Sequence, residues 1–260
     1  LSQVGVRPYW LAARPEPGQT FEEFVASAPN RPTERRNRIY LQPLGDFSGA
    51  RSPSPDRLTA YGSAYFHMPV ALLPALPIDA GFTTRSNPMT GHRQILTRNI
   101  LAFLKSRLPA DAFCVLAITM ADLYPQPSWN FVFGQASLRE RVGVFSFARY
   151  DPAFYGRPPG EGDKAIILRR SCKVLVHETA HMFHLAHCIH FHCVMNGSNH
   201  LAESDARPQH LCPVCLRKLQ HSIGFDVVAR YRRLREFYGA AGFSAERDWV
   251  ADRLAFIQRP

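Results

Sequence analysis

Apolar residues along the 260-residue chain change period several times. RIYLQPLGDF (38–47) reads as a first strand, and SGARSPSPDR (48–57) as a loop by its Ser, Pro and Gly content. RLTAYGSAYF (57–66) predicts a short helix, and an apolar run from Met68 follows it. In GHRQILTRNILAFLKSRLP (91–109), Ile95, Ile100, Leu101, Leu104 and Leu108 fall at helical intervals and Pro109 ends the pattern. FCVLAITM (113–120) is a short continuous apolar run, as a parallel strand buried on both faces would be. WNFVFGQAS (129–137) and RVGVFSFARY (141–150) predict two more strands. PAFYGRPPGEGD (152–163) is a loop, and its Asp163 is placed to cap a helix running through Phe183. The remainder reads as mostly helical. Residues 1–37 mix Pro, Arg and Glu with little periodicity, so they are expected to form an N-terminal extension draped on the surface. The whole predicts an α/β sheet domain followed by a helical tail.

No run approaches the roughly 18 apolar residues of a membrane helix. The longest, MPVALLPALPI (68–78), is short and broken by prolines. A soluble, intracellular protein is therefore expected, with no membrane partner, although a chain that opens at Leu1 rather than Met leaves room for an address upstream. The net charge of +10 raises the question of nucleic acid. Most basic residues are scattered, however. The densest cluster, RYRRLREF (230–237), places Arg230, Arg233 and Phe237 at helical spacing, as a solvated helix face does. No nucleic-acid partner is expected, and the chain is expected to be a monomer.

The chemistry is concentrated in HETAHMFHLAHC (177–188). His177 and His181 are four apart in the predicted helix, about 40° around the axis and one turn along it, so both imidazoles can face one ion. Glu178 lies beside the first and can act without ligating. This HExxH arrangement is that of two zinc-binding histidines and a general-base glutamate. A third ligand has two candidates. His184 returns to the face of His177, but on an unbroken helix it lies about 10.5 Å along the axis, too far for one ion. His187 completes HExxHxxxxxH and reaches the metal only if the chain turns sharply near His184. Met195, eight residues further on, stands where metzincins carry a methionine beneath the zinc. Cys188, Cys193, Cys212 and Cys215 form C-x4-C and C-x2-C pairs around an 18-residue spacer, the pattern of a closed tetrahedral zinc site. Reduced thiolates fit a cytoplasmic or nuclear compartment, and Cys114 and Cys172 read as buried free thiols.

With its cysteine and methionine spacing, the stretch HETAHMFHLAHCIHFHCVMNGSNHLAESDARPQHLCPVCLRKLQ resembles the archaemetzincins, whose pattern is HExxHxxGxxHC, then C-x-M and a distal CxxC. DLYP (122–125) and WNFVFGQAS are similar to the family's as well, so the resemblance spans roughly residues 38–235. It implies a metzincin-like twisted mixed sheet with an active-site helix (38–187), followed by a zinc-stapled, mainly helical subdomain (188–260). It also implies two zinc ions: a catalytic one on His177, His181 and His187, and a structural one on Cys188, Cys193, Cys212 and Cys215. The activity implied is hydrolysis of peptide bonds by a zinc-activated water with Glu178 as general base, on a peptide or protein substrate. Metzincins bind substrate as an added strand on a sheet edge, and Trp129, Asn130, Phe131, Val132, Phe133 and Gly134 are the candidate edge. His184 stands where the family pattern has glycine. That departure favours a competing reading, a catalytically impaired zinc scaffold that binds peptides or partners without hydrolysis.

Overall fold

The computed structural model describes residues 9–78, 81–137 and 139–259. Residues 1–8 of the expected extension lie outside them. The described chain opens with helices α1 (Tyr9–Ala13) and α2 (Phe21–Ala26). In α2, Thr20 and Glu23 exchange side-chain and backbone bonds as a capping box, and Phe24 is wholly buried. This part of the extension is therefore built into the core. Then come β1 (Arg38–Leu44), α3 (Pro55–Phe66), β2 (Val70–Leu72), β3 (Thr84–Ser86), β4 (Arg93–Leu96), α4 (Thr97–Ser106), β5 (Ala112–Thr119) and β6 (Asp122–Tyr124). They are followed by β7 (Gly134–Ser137), β8 (Val142–Ser146), α5 (Asp163–Met182), α6 (Leu201–Ala206), α7 (Pro213–Ile223), α8 (Val227–Ala241) and α9 (Ser244–Ile257).

The main sheet has the order β2-β1-β5-β8-β7, parallel throughout except for β7, which runs antiparallel to β8 at the edge. All eight residues of β5 are buried, as its unbroken apolar run requires of a central strand. One core packs this sheet against α3, α5 and the C-terminal helices; a second lies under α4 on the other side. A smaller sheet, β3-β4-β6, flanks it. The architecture is mixed α/β. Among the described residues no helix is long and apolar enough to cross a membrane.

Several sequence expectations are corrected. The segment expected as one helix over 91–109 divides: Arg93–Leu96 is strand β4, paired on both sides, and the helix begins at Thr97. Ile95 is buried within that small sheet, so its apolar character served strand pairing and not helical periodicity. The strand over 141–150 ends at Ser146 and tightens into a 3-10 turn at Ala148–Tyr150. Asp163 does not cap α5. Its carboxylate accepts the Gly160 N–H (2.9 Å), and Gly162 occupies the cap position. Arg230, expected on a solvated face, is buried: its Nε donates to the Tyr65 carbonyl (2.6 Å) and its guanidinium lies 4.4 Å over the Tyr65 ring.

The candidate substrate edge is also reduced. Of residues 129–134 only Gly134 is in a strand; Val132 makes an isolated bridge to Leu123, and the rest is loop. At its start, side chains have taken carbonyls that a strand would pair. Arg85 binds those of Pro127 (2.8 Å) and Asn130 (3.1 Å), and Gln94 binds Asn130 as well (2.9 Å). Arg149, in a buried two-pronged pair with Asp122 (2.8 Å each), lies 3.6 Å over the Phe131 ring and pins the loop's middle.

Helix α5 ends in a way that decides the site. Met182 is its last residue and Phe183 its C-cap, His184 follows with φ +67°, and two bonds close the end: His184 N–H to the His181 carbonyl (2.8 Å) and Leu185 N–H to the Ala180 carbonyl (3.3 Å). This is a Schellman closure with histidine at the left-handed position usually held by glycine. The cost of a Cβ there is about 1 kcal/mol, and the His184 Nε2 is buried without a partner. His184→Gly should therefore unfold in urea with a midpoint equal to or above the parent's, the gain limited to about 1 kcal/mol by glycine's greater freedom when unfolded. A loss of 1 kcal/mol or more would show that the imidazole holds the turn.

Candidate active site

The left-handed turn carries the chain back so that His187 meets the two helical histidines. His177 and His181 approach Nε2 to Nε2 at 3.1 Å, and one ligand atom from each of the three rings lies within 4.8 Å of the others. Each Nδ1 is occupied on the outer side. His177 Nδ1 donates to the Val194 carbonyl (2.9 Å), His181 Nδ1 to the Leu185 carbonyl (2.7 Å), and His187 Nδ1 to the Glu16 carboxylate (2.9 and 3.0 Å). A carbonyl only accepts, so the proton of His177 and of His181 sits on Nδ1 and leaves their Nε2 lone pairs toward one another. Burial, then the neighbouring rings and Arg207, hold His177 well below the usual imidazole range, and burial brings His181 down to about 3. Both are neutral imidazoles at physiological pH. Tetrahedral zinc with bonds of about 2.0–2.1 Å separates ligand nitrogens by about 3.3 Å. The cluster fits such an ion. His184 is not in it; it serves the turn.

Glu178 lies on the same helix, half-buried, facing a cleft of about 460 Å³ that the three histidines also line. Burial pushes its carboxyl up to about 7, and Arg207 opposes the shift. The opposite wall is β7. A Cβ on Gly134 would stand 3.2 Å from the Glu178 carboxyl carbon and 2.9 Å from the Phe145 Cβ, so only glycine lets the edge strand come this near the carboxylate. Trp129 to Phe133 line the same cleft as loop, beside that strand.

Met195 is fully buried, and its neighbours give the segment its use: the Val194 carbonyl orients His177, and the Met195 carbonyl accepts the Cys188 N–H (2.9 Å). Cys188, Cys193, Cys212 and Cys215 converge close by, with their sulfurs within 4.8 Å of one another and none in a disulfide. Cys188 and Cys212 sulfurs are 3.8 Å apart, the spacing that zinc–sulfur bonds of about 2.3 Å give on a tetrahedron. Backbone N–H groups point at these sulfurs, Cys212 to Cys193 (3.2 Å) and Cys215 to Cys212 (3.4 Å), as they do toward thiolates. Hydrogen bonds from the other thiols hold Cys188 down, whereas burial pushes Cys193 up. Four such groups ionise together only around a cation. Cys114 and Cys172 are buried free thiols, and burial raises both.

Sequence reasoning missed four contributors. Arg207 donates to the Asn196 carbonyl and to Ser204 Oγ (2.8 Å) and lies beside Glu178 and His177. Lys173, one turn before His177, fixes it there by binding the carbonyls of Ser204 (2.8 Å), Asp205 (3.1 Å) and Arg207 (2.6 Å). Glu16 and Trp10 come from the supposed extension; no local signal marks a partner 171 positions away.

The sequence model of peptidase family M54 matches residues 92–221, a span that contains both metal-binding patterns but neither Glu16 nor Trp10. Human archaemetzincin-2 is 44% identical over 254 residues, covering 86% of this chain and 70% of that protein. Rat archaemetzincin-1 is 38% identical over 254 residues and is covered over 50% of its length. Among solved structures, the archaemetzincin of Methanopyrus kandleri superimposes with a TM-score of 0.52 at 30% identity, covering 74% of this chain and 97% of that one. A zinc-dependent peptidase from Methanocorpusculum labreanum gives 0.54 at 26% identity, with 70% and 99% covered. With this identity over most of its length, and with its paired histidine and cysteine clusters, the chain belongs to peptidase family M54, the archaemetzincin zinc-dependent metallopeptidases.

Proposed function

We propose that His177, His181 and His187 hold the catalytic zinc, that Glu178 is the general base for peptide-bond hydrolysis, and that Cys188, Cys193, Cys212 and Cys215 hold a second, structural zinc. The observation that carries this reading is the convergence of three outwardly anchored imidazoles beside a half-buried carboxylate that faces a cleft. When bound, zinc supplies an acidified water of pKa about 7 and polarises the carbonyl under attack. The chain's residues do the rest. Glu178, lifted toward neutrality by burial, is matched to take a proton and return it to the leaving amine. Arg207 keeps enough positive potential nearby for the carboxylate to be ionised before it acts. The free edge of β7 offers main-chain bonds to an extended peptide, and Gly134 sets its distance from Glu178. The turn that brings His187 inward is formed with His184 in it, which supports hydrolysis over a non-catalytic scaffold.

Glu178→Gln should keep its metal and lose peptide cleavage by about 10²–10⁴-fold, since an amide fills the same space but takes no proton. Cleavage of a mixed peptide library, with and without a chelator, checks both parts. A variant that cleaves at the parent's rate would place the base elsewhere.

The raised carboxyl also has a pH signature in protein from which the histidine-site metal has been removed. Glu178 binds its proton more tightly folded than unfolded, so folding loses stability as pH climbs from the free value of about 4.3 through about 7. Below that window acid and amide are both neutral. Thermal melts of Glu178→Gln should therefore lie near the parent's at pH 4 and above them at pH 8. A difference that is constant with pH, or that grows toward acid, contradicts the burial of an ionisable Glu178.

A further inference from the structure

The loop that delivers His187 is held from outside by residues 10–30. When α5 ends, it releases backbone groups that need partners. Asn30 Nδ2 donates to the Met182 carbonyl (2.9 Å), Gln19 Nε2 to the His184 carbonyl (3.2 Å), and the Ala186 N–H donates to Gln19 Oε1 (3.2 Å). Lys218 in turn binds the Gln19 carbonyl. The fit is close: a Cβ on Gly18 would stand 2.8 Å from Ile189, and one on Gly197 would stand 2.4 Å from the Trp10 indole nitrogen. Trp10 meets the His187 ring edge-on at 5.3 Å, and its backbone N–H is fixed by Glu203 (2.6 Å).

Within this strap Glu16 has a distinct place. His177 and His181 direct Nδ1 to carbonyls of their own neighbourhood, but His187 finds only the Glu16 carboxylate, both oxygens within 3.0 Å. The contact is about three-quarters shielded from solvent on each side. The oxygens lie across the ring from Nε2, so Glu16 cannot itself reach an ion on the inner side. A carboxylate so placed fixes the tautomer and ring orientation of a metal-binding histidine and raises its basicity.

We propose that Glu16 is a positioning residue for His187, and that the strap of residues 10–30 is thereby part of the catalytic metal site. This rests on the reading of the three histidines as zinc ligands. The third ligand sits on a loop and not on the helix, so it has the most orientational freedom to lose, and Glu16 removes it before the ion arrives.

The test is competition for zinc against a chromophoric chelator, with the full chain as parent and Glu16→Ala, Glu16→Gln and Glu22→Ala beside it; Glu22 is exposed on the same strap. The weaker of two zinc equivalents should bind about 10–100-fold less tightly in Glu16→Ala, with the tighter equivalent and Glu22→Ala unchanged. Glu16→Gln, whose amide oxygen still accepts from Nδ1, should fall between. A glutamine variant as weak as the alanine one still carries the proposal, through charge instead of bond geometry. Parent-like zinc affinity in Glu16→Ala overturns it, as does an equal loss in Glu22→Ala. Loss of the tighter equivalent as well marks a collapsed fold, and Glu16→Gln then decides by the same criteria. A parent with no weaker equivalent removes the histidine site itself, and the proposal with it.

Discussion

Three imidazoles on one straight helix cannot share an ion, because the positions that return to one face are spread along the axis at about 1.5 Å per residue. The active-site helix meets this limit by stopping. A left-handed residue at His184 closes the last turn, reverses the chain and presents His187 from another direction. The same turn supplies the Leu185 carbonyl that orients His181, so one backbone event delivers the third ring and fixes the second. Histidine tolerates that conformation less well than glycine does. The packing that makes up the difference comes from the N-terminal strap, which takes up the carbonyls of Met182 and His184.

Burial then sets the chemistry. The same dry environment that keeps His177 and His181 unprotonated raises Glu178, so imidazoles and carboxylate are poised by one cause acting on groups of opposite charge type. The polar groups taken from water are matched closely around them: the Val194 carbonyl answers His177, and Lys173 answers the end of α6 and sets Arg207 beside Glu178. The cysteine cluster fixes the floor, because Cys188 follows His187 directly and binds the Met195 carbonyl through its N–H.

The metal patterns were legible because each is local: i, i+4 histidines with an intervening glutamate, and cysteine pairs at short spacing. The long helix ending at Met182 and the buried strand at 112–119 were legible for the same reason, since their apolar periods are their own. What was not legible depends on distant partners. Arg93–Leu96 became a strand because two others flank it, and Arg230 was drawn inward by the Tyr65 carbonyl and ring. Residues 129–133 carry strand-like side chains, but Arg85 and Gln94 converge on the Asn130 carbonyl and hold the segment's start as a loop. Glu16 is the extreme case, an unremarked residue in a Pro-rich stretch whose only meaning is spatial.

If the left-handed turn at His184 makes His187 the third ligand, anomalous diffraction from crystals of the zinc-loaded protein, recorded above and below the zinc edge, will show two peaks. One lies among the Nε2 atoms of His177, His181 and His187, and one among the four cysteine sulfurs. A histidine-site peak liganded by His184 in place of His187, or no peak there at all, would contradict that role for His187.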